Sequence, residues 1–308
     1  MATKIEWTDE TFNPIRARNR ATSKVGWHCE RVSPGCEHCY SETMNRRLGT
    51  GLPFKPGHRK DIELFLDEKT LIRPLRWKRP RMIFVCSMTD LFADFVPDEW
   101  IDKIFAVMAL CPQHSFQVLT KRPERMRQYM TEDGIGRVGY VESLAKRMLR
   151  ERSGRDDPVL IGKTLRWPLE NVWLGTSAED QKRYDERGYR LRKTPAAVRF
   201  YSLEPLLGPI KIDLKCSACN GTGMIEVRQF GTVAGANTCQ QCGGRGKAID
   251  WIICGGESGP GARQMDPAWA REVRDQCAAS GIAFFMKQMT GKKPIPDDLL
   301  IRQWPAAA

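Results

Sequence analysis

Met82-Ile-Phe-Val-Cys86-Ser87-Met88-Thr89-Asp90 joins a short apolar run to a polar cluster, and the chain repeats that join five more times. The apolar runs are Met82–Cys86, Phe116–Leu119, Val172–Gly175, Val198–Tyr201, Trp251–Cys254 and Ile282–Met286. Their length and their β-branched or aromatic content predict buried strands. Amphipathic helices are expected between them. One runs from Asp98 to Leu110, launched by Pro97-Asp98, with Trp100, Ile101, Ile104, Phe105 and Met108 as its apolar positions. Another runs from Pro267 to Ala279, with Trp269, Val273 and Cys277 on one face. Strand alternating with helix predicts an α/β fold whose parallel sheet curves into a partial or full (β/α) barrel.

In such sheets functional groups gather just beyond the carboxyl ends of the strands. The six runs are followed there by Ser87–Asp90, Thr120-Lys121-Arg122, Thr176-Ser177-Ala-Glu179-Asp180, Ser202-Leu-Glu204, Gly255-Gly256-Glu257-Ser258 and Lys287-Gln288. Loops are polar in general, but six clusters in register point to one shared site. Gly255-Gly256-Glu257 can bring backbone N–H groups and a carboxylate to a cationic amine or a ribose hydroxyl.

Seven of the eleven cysteines fall into two groups with metal-ligand spacing. Cys29, Cys36 and Cys39 lie in Cys29-Glu-Arg-Val-Ser-Pro34-Gly35-Cys36-Glu-His-Cys39, where Pro34-Gly35 supplies the turn that folds Cys29 back onto the other two. Three thiolates can bind a four-iron cluster and leave one iron open to a ligand. Unconnected buried thiols, or a zinc site completed by His28 or His38, are the other readings. Cys216-x2-Cys219 and Cys239-x2-Cys242, each followed by x-Gly-x-Gly, read as two knuckles around one closed Zn2+ site, a structural staple. Residues 212–250 are therefore expected to form an inserted subdomain, with 1–211 and 251–308 making the barrel.

The chain has 308 residues, is 41% hydrophobic, and carries a formal charge of +12. That content supports one large core, and the charge makes a polyanion the first partner to consider. No run approaches the eighteen apolar residues of a membrane span, so no membrane association is expected. Without a signal peptide, and with cysteines in metal spacings, a reducing, cytoplasmic location is expected.

The three-cysteine loop before a parallel barrel resembles the radical S-adenosylmethionine enzymes. More closely, the chain resembles an uncharacterised phage and prophage family of three-cysteine-motif proteins. The motifs that carry this are Glu6-Trp7-Thr8-Asp9 with Phe12-Asn13-Pro14, Val32–Tyr40, Ser87–Phe92, Leu119–Pro123, Trp173–Ser177, Ser202–Pro205 and Gly255–Ser258. The cysteine spacing is C-x6-C-x2-C, where the wider superfamily has C-x3-C-x2-C, and Gly255-Gly256-Glu257 comes later in the chain than the superfamily's glycine-glycine-glutamate. The resemblance implies a 4Fe-4S cluster on Cys29, Cys36 and Cys39, S-adenosylmethionine as cofactor, and a 5′-deoxyadenosyl radical that abstracts hydrogen from substrate. It implies Asp90 at the methionine ammonium and Ser177 with Glu179 at the ribose, although Asp90 also suits a helix N-cap. It further implies an electron donor such as a flavodoxin or ferredoxin, and leaves room for a phage-encoded partner protein.

Basic residues cluster at Arg73–Arg81, at Lys121 to Arg127 and at Arg187 to Lys193. Arg76 and Arg79 can pair phosphates while Trp77 offers a base a stacking face, and Lys121 with Arg122 can meet a phosphate or carboxylate. These features favour a nucleic acid or nucleotide substrate. A non-catalytic, metal-stabilised nucleic-acid-binding protein is the alternative. A metal-dependent hydrolase has no H-x-H, H-E-x-x-H or paired-carboxylate motif to support it.

Overall fold

The computed structural model describes residues 3, 5–131, 134–153, 165–229, 232–239, 242, 244–259 and 261–306. Seven parallel strands form a half-barrel: Glu10–Phe12, Met82–Val85, Ser115–Thr120, Val172–Ser177, Val198–Leu203, Trp251–Gly255 and Ala283–Gln288. Their spatial order is their chain order. Each crossover therefore advances by one strand in the same direction, which is how a barrel winds rather than a doubly wound sheet. Six strands coincide with the apolar runs. The seventh, Glu10–Phe12, is three residues long and its alternation is too short to register.

The two expected helices form at Asp98–Ala109 and Pro267–Ser280. The second is capped as its sequence demands, by the Asp266 carboxylate at the start and by Gly281 at φ 62° at the end. One sheet face, with Val118, Leu174, Tyr201, Ile252 and Met286, shares a large core with helical residues such as Ile104, Tyr184 and Val273. The other face carries Phe84, Trp173, Phe200, Trp251, Ile253 and Phe285, which close around Trp7 as a separate aromatic cluster inside the curve. The sheet is thus plugged by its own side chains. Among the described residues, a pocket reaches from this cluster to the carboxyl ends of the strands.

Two insertions interrupt the winding. A three-stranded antiparallel sheet, Ile15–Asn19 with Val25–Gly26 and Ile62–Leu66, brackets the cysteine loop and the helix Tyr40–Leu48 that follows it. Between the fifth and sixth sheet strands lie Cys216, Cys219, Cys239 and Cys242, with an antiparallel hairpin, Met224–Gln229 and Thr232–Thr238, between the two pairs. Gln240, Gln241 and Gly243 of the second knuckle fall outside the described residues. No helix of the described residues is long and apolar enough to cross a membrane.

Candidate functional site

Cys29, Cys36 and Cys39 come together on one pocket, about 170 Å³, at the carboxyl ends of the strands. Pro34–Cys36 makes the expected tight turn, with the Cys36 N–H donating to the Ser33 carbonyl at 2.9 Å. Cys39 precedes the helix Tyr40–Leu48 and its sulfur lies 2.9 Å from the Ser41 hydroxyl. All three cysteines are half-buried. Burial and the nearby Asp90 carboxylate push the Cys29 thiol up to about 12, so without a metal it is protonated at neutral pH.

The strand-end clusters hold this loop in place. The Thr89 hydroxyl donates to the His28 carbonyl at 2.5 Å, and the Tyr40 hydroxyl donates to the Ser87 carbonyl at 2.8 Å. Asn13 accepts the Met88 N–H at 3.0 Å, which ties the Phe12-Asn13-Pro14 motif to the same turn. Asp90 is buried and its carboxylate accepts four donors: the Phe92 N–H at 3.0 Å, the Thr120 hydroxyl at 2.6 Å, the Lys121 N–H at 3.0 Å and Arg122 Nη1 at 3.1 Å. A carboxylate has about four such positions, so this one is full. Asp90 caps no helix either, because the next one begins at Asp98. Through Asp90, Arg122 is aimed at the loop, where Nη2 donates to the Glu30 carbonyl at 3.3 Å.

Glu179 repeats the device from beyond the strand Val172–Ser177. Fully buried, it accepts from Arg187 Nη1 at 3.0 Å and from the Gly35 N–H at 3.2 Å. Burial pushes its carboxyl up, but the Arg187 charge, the Ser33 hydroxyl, Lys121 and the Gly35 N–H hold it below the ordinary carboxylate range. Glu257 does the same from the far side. It pairs with Arg263, whose Nη2 donates to the Pro34 carbonyl at 2.9 Å and whose Nη1 meets Glu37 at 3.1 Å. Burial again pushes the Glu257 carboxyl up, and Arg263 brings it below its ordinary value.

The three carboxylates expected at a ligand are thus engaged by the protein, each fastening the cysteine loop directly or through an arginine. Ser177 lines the pocket as expected, whereas Gly255 and Gly256 do not. Gly256 is needed for packing, since a Cβ there would lie 2.5 Å from the Thr290 nitrogen. Arg76, Trp77 and Arg79 lie elsewhere. They precede Met82, at the amino end of a strand whose carboxyl end reaches the pocket, about 13 Å away for four residues. Trp77 packs on the core with the Arg73 and Arg81 guanidinium groups each 5.3 Å from its ring, so the expected stacking face is already covered. Arg76 and Arg79 are exposed.

Sequence reasoning missed Arg263 and placed Arg187 only in a basic cluster, with no partner. Arg187 had a signal: it falls on the apolar stripe Tyr184, Gly188, Leu191 of the helix Gln181–Lys193, where a cation needs a partner. Arg263 sits in a loop with no periodicity, and nothing local marks it.

The second cysteine group is a closed site. The ligand atoms of Cys216, Cys219, Cys239 and Cys242 all lie within 4.8 Å of one another and are buried. Two sulfur separations are 3.8 and 3.7 Å, and tetrahedral zinc with 2.3 Å bonds has edges of about 3.8 Å. Gly223 and Gly246 donate N–H groups to Cys219 and Cys242 at 3.2 and 3.3 Å. These residues fit a metal ion such as zinc. The three loop sulfurs do not gather as tightly among the described residues.

A larger cavity, about 860 Å³, opens at the amino end of the sheet. Its cations are tied inside the protein: Arg245 to Asp250, Lys247 to the Gly281 carbonyl and Arg274 to Asp298. The convergent chemistry is at the other end.

The profile of the DUF5131 family, described as a protein of unknown function, matches residues 2–296. The chain belongs to that family. The DUF5131 description assigns neither an activity nor a phage origin. No curated protein and no solved structure matches the chain.

Proposed function

We propose that this DUF5131 protein is a radical S-adenosylmethionine enzyme of the phage and prophage three-cysteine type, acting on a nucleic acid or nucleotide. In this reading Cys29, Cys36 and Cys39 hold a 4Fe-4S cluster, and Cys216, Cys219, Cys239 and Cys242 hold structural Zn2+. The observation that carries the reading is the convergence on one cysteine loop of Asp90 with Arg122, Glu179 with Arg187, and Glu257 with Arg263. Three buried or half-buried ion pairs spent on fixing one loop exceed what a surface turn requires, and they fit a loop whose sulfurs must stand in a set geometry.

A cluster with one iron free of protein ligands supplies, when bound, one-electron cleavage of S-adenosylmethionine. The chain's own part is to position and shield. The arginine and glutamate pairs hold the loop, while Trp7, Phe84 and Leu119 keep the inner pocket apolar and short of water. Asp90, Glu179 and Glu257 are positioning residues in this account, and Ser177 remains free to meet the cofactor. The +12 charge favours a polyanionic substrate and an acidic electron-donor protein of the flavodoxin or ferredoxin kind.

Anaerobically reconstituted protein, given a strong one-electron reductant, is expected to release 5′-deoxyadenosine and methionine from S-adenosylmethionine slowly without substrate, and Cys36→Ala is expected to abolish the release. An iron-loaded, reducible protein that neither binds nor cleaves the cofactor would support the non-catalytic nucleic-acid-binding alternative instead.

A further inference from the structure

Two groups on the pocket make no hydrogen bond or ion pair with the clamps that hold the loop, although the Lys121 charge acts on the Glu179 carboxyl from farther away. The first is Trp7, which lines the inner pocket together with Ile5, Phe84 and Leu119. It is 2% exposed, and its indole N–H has no hydrogen-bond partner among the described residues. The rest of the residue is fixed: its carbonyl accepts from Gln117 Nε2 at 3.2 Å and its ring lies 4.6 Å from that of Phe84. A buried indole N–H without an acceptor is costly, and buried tryptophans usually find one. The second group is the Lys121 ammonium. Its backbone N–H is held by Asp90, which fixes where the side chain starts, yet the ammonium makes no hydrogen bond or ion pair among the described residues. Neighbouring cations differ, since Arg122 is paired with Asp90 and Lys287 with Glu204. Lys121 also lines the surface groove that adjoins the pocket.

Taking the preceding reading that the substrate is a nucleic acid or nucleotide, we propose that the inner pocket receives the nucleobase, Trp7 donating its N–H to an acceptor on the base edge. Lys121 takes the phosphate attached to the same unit, where the pocket meets the groove. A base suits this site because it joins apolar faces to in-plane acceptors. The faces match Phe84 and Leu119, and an edge acceptor satisfies the indole. An aliphatic ligand would leave that N–H unpaired, and a sugar would set hydroxyls against apolar side chains. A base within a strand reaches such a pocket by leaving its stack, so single-stranded or nucleotide substrates are favoured over duplex.

The test is titration of the full-length, anaerobically purified protein with nucleoside 5′-monophosphates, the parent nucleosides and ribose 5-phosphate. Calorimetry gives affinity, and the indole 15N–1H signals report on Trp7, whose signal is the one lost in Trp7→Phe. The expected result is base-dependent binding that shifts the Trp7 signal. Trp7→Phe should weaken nucleotide and nucleoside alike by about tenfold, the loss of one hydrogen bond. Lys121→Gln should weaken the nucleotide by about tenfold and leave the nucleoside unchanged. Should Trp7→Phe fail to fold, a full set of assigned indole signals in the unaltered protein and Lys121→Gln still decide. Ribose 5-phosphate binding as tightly as the nucleotide, or an unmoved Trp7 signal at saturation, would overturn the proposal. So would a Trp7 signal moved by S-adenosylmethionine but by no monophosphate. Cofactor cleavage without nucleotide binding overturns this subsite and leaves the radical reading standing, whereas nucleotide binding without cleavage does the reverse.

Discussion

Replacing Glu179 tests the clamp on the cysteine loop. The carboxylate is fully buried and the Arg187 side chain is 9% exposed, so Glu179→Ala strands a cation inside the protein and frees the Gly35 N–H. Removing one partner of such a pair costs about 3–5 kcal/mol. For a chain of this size that corresponds to a fall in Tm of about 6–10 °C, taking about 2 °C per kcal/mol. Glu179→Gln with Arg187→Met should recover at least about 1 kcal/mol relative to the sum of the single changes, because the stranded charge is gone. The pH dependence has a definite sign. The folded carboxyl lies below its ordinary value, so its contribution is complete above the unfolded pKa of about 4.3 and is lost as pH falls towards the folded one. Glu179→Gln should therefore flatten the acid side of the stability profile by up to about 1.4 kcal/mol per pH unit. Denaturant unfolding at pH 7 and across the acid range measures both quantities. A Glu179→Ala protein within about 0.5 kcal/mol of the parent, with an unchanged acid limb, would refute the clamp.

The two cysteine groups should lose metal independently. Cys29→Ala, Cys36→Ala or Cys39→Ala should remove iron and its visible absorption while zinc is kept, and Cys216→Ala or Cys242→Ala should do the reverse, read by elemental analysis. Asp90→Ala should lower iron loading before it lowers cofactor affinity, because the side chain's four acceptor positions are spent on the protein; normal iron content with weakened cofactor binding would contradict this. Nucleic-acid binding should fall steeply with salt, and charge reversal at the exposed Arg76 and Arg79 should flatten that slope. Trp77→Ala should lower stability and leave single-strand affinity within error, as its ring is packed between its own cations and the core.

The sheet was legible because six strands are short apolar runs buried on both faces, and such runs announce themselves locally. The four-cysteine group was legible from spacing alone, and the turn that folds the Cys29–Cys39 loop was legible from Pro34-Gly35. What stayed hidden is the direction in which side chains at the strand ends point. Glu179 and Glu257 carry the residue types that suit a cofactor, but their partners, Arg187 and Arg263, lie on a helix and in a loop, and no local pattern pairs them. The packing of Trp77 stayed hidden for a similar reason. An aromatic among arginines reads as a stacking platform until those arginines are seen to cover it.

The central claim is that a loop fastened from three sides holds a polynuclear iron centre. Iron, acid-labile sulfide and zinc counted per chain in anaerobically purified protein test it most directly. The account predicts about four irons and four sulfides with about one zinc, the iron and sulfide vanishing together in Cys36→Ala and the zinc unaffected. Zinc in both cysteine groups, with neither iron nor sulfide after reconstitution, would contradict it.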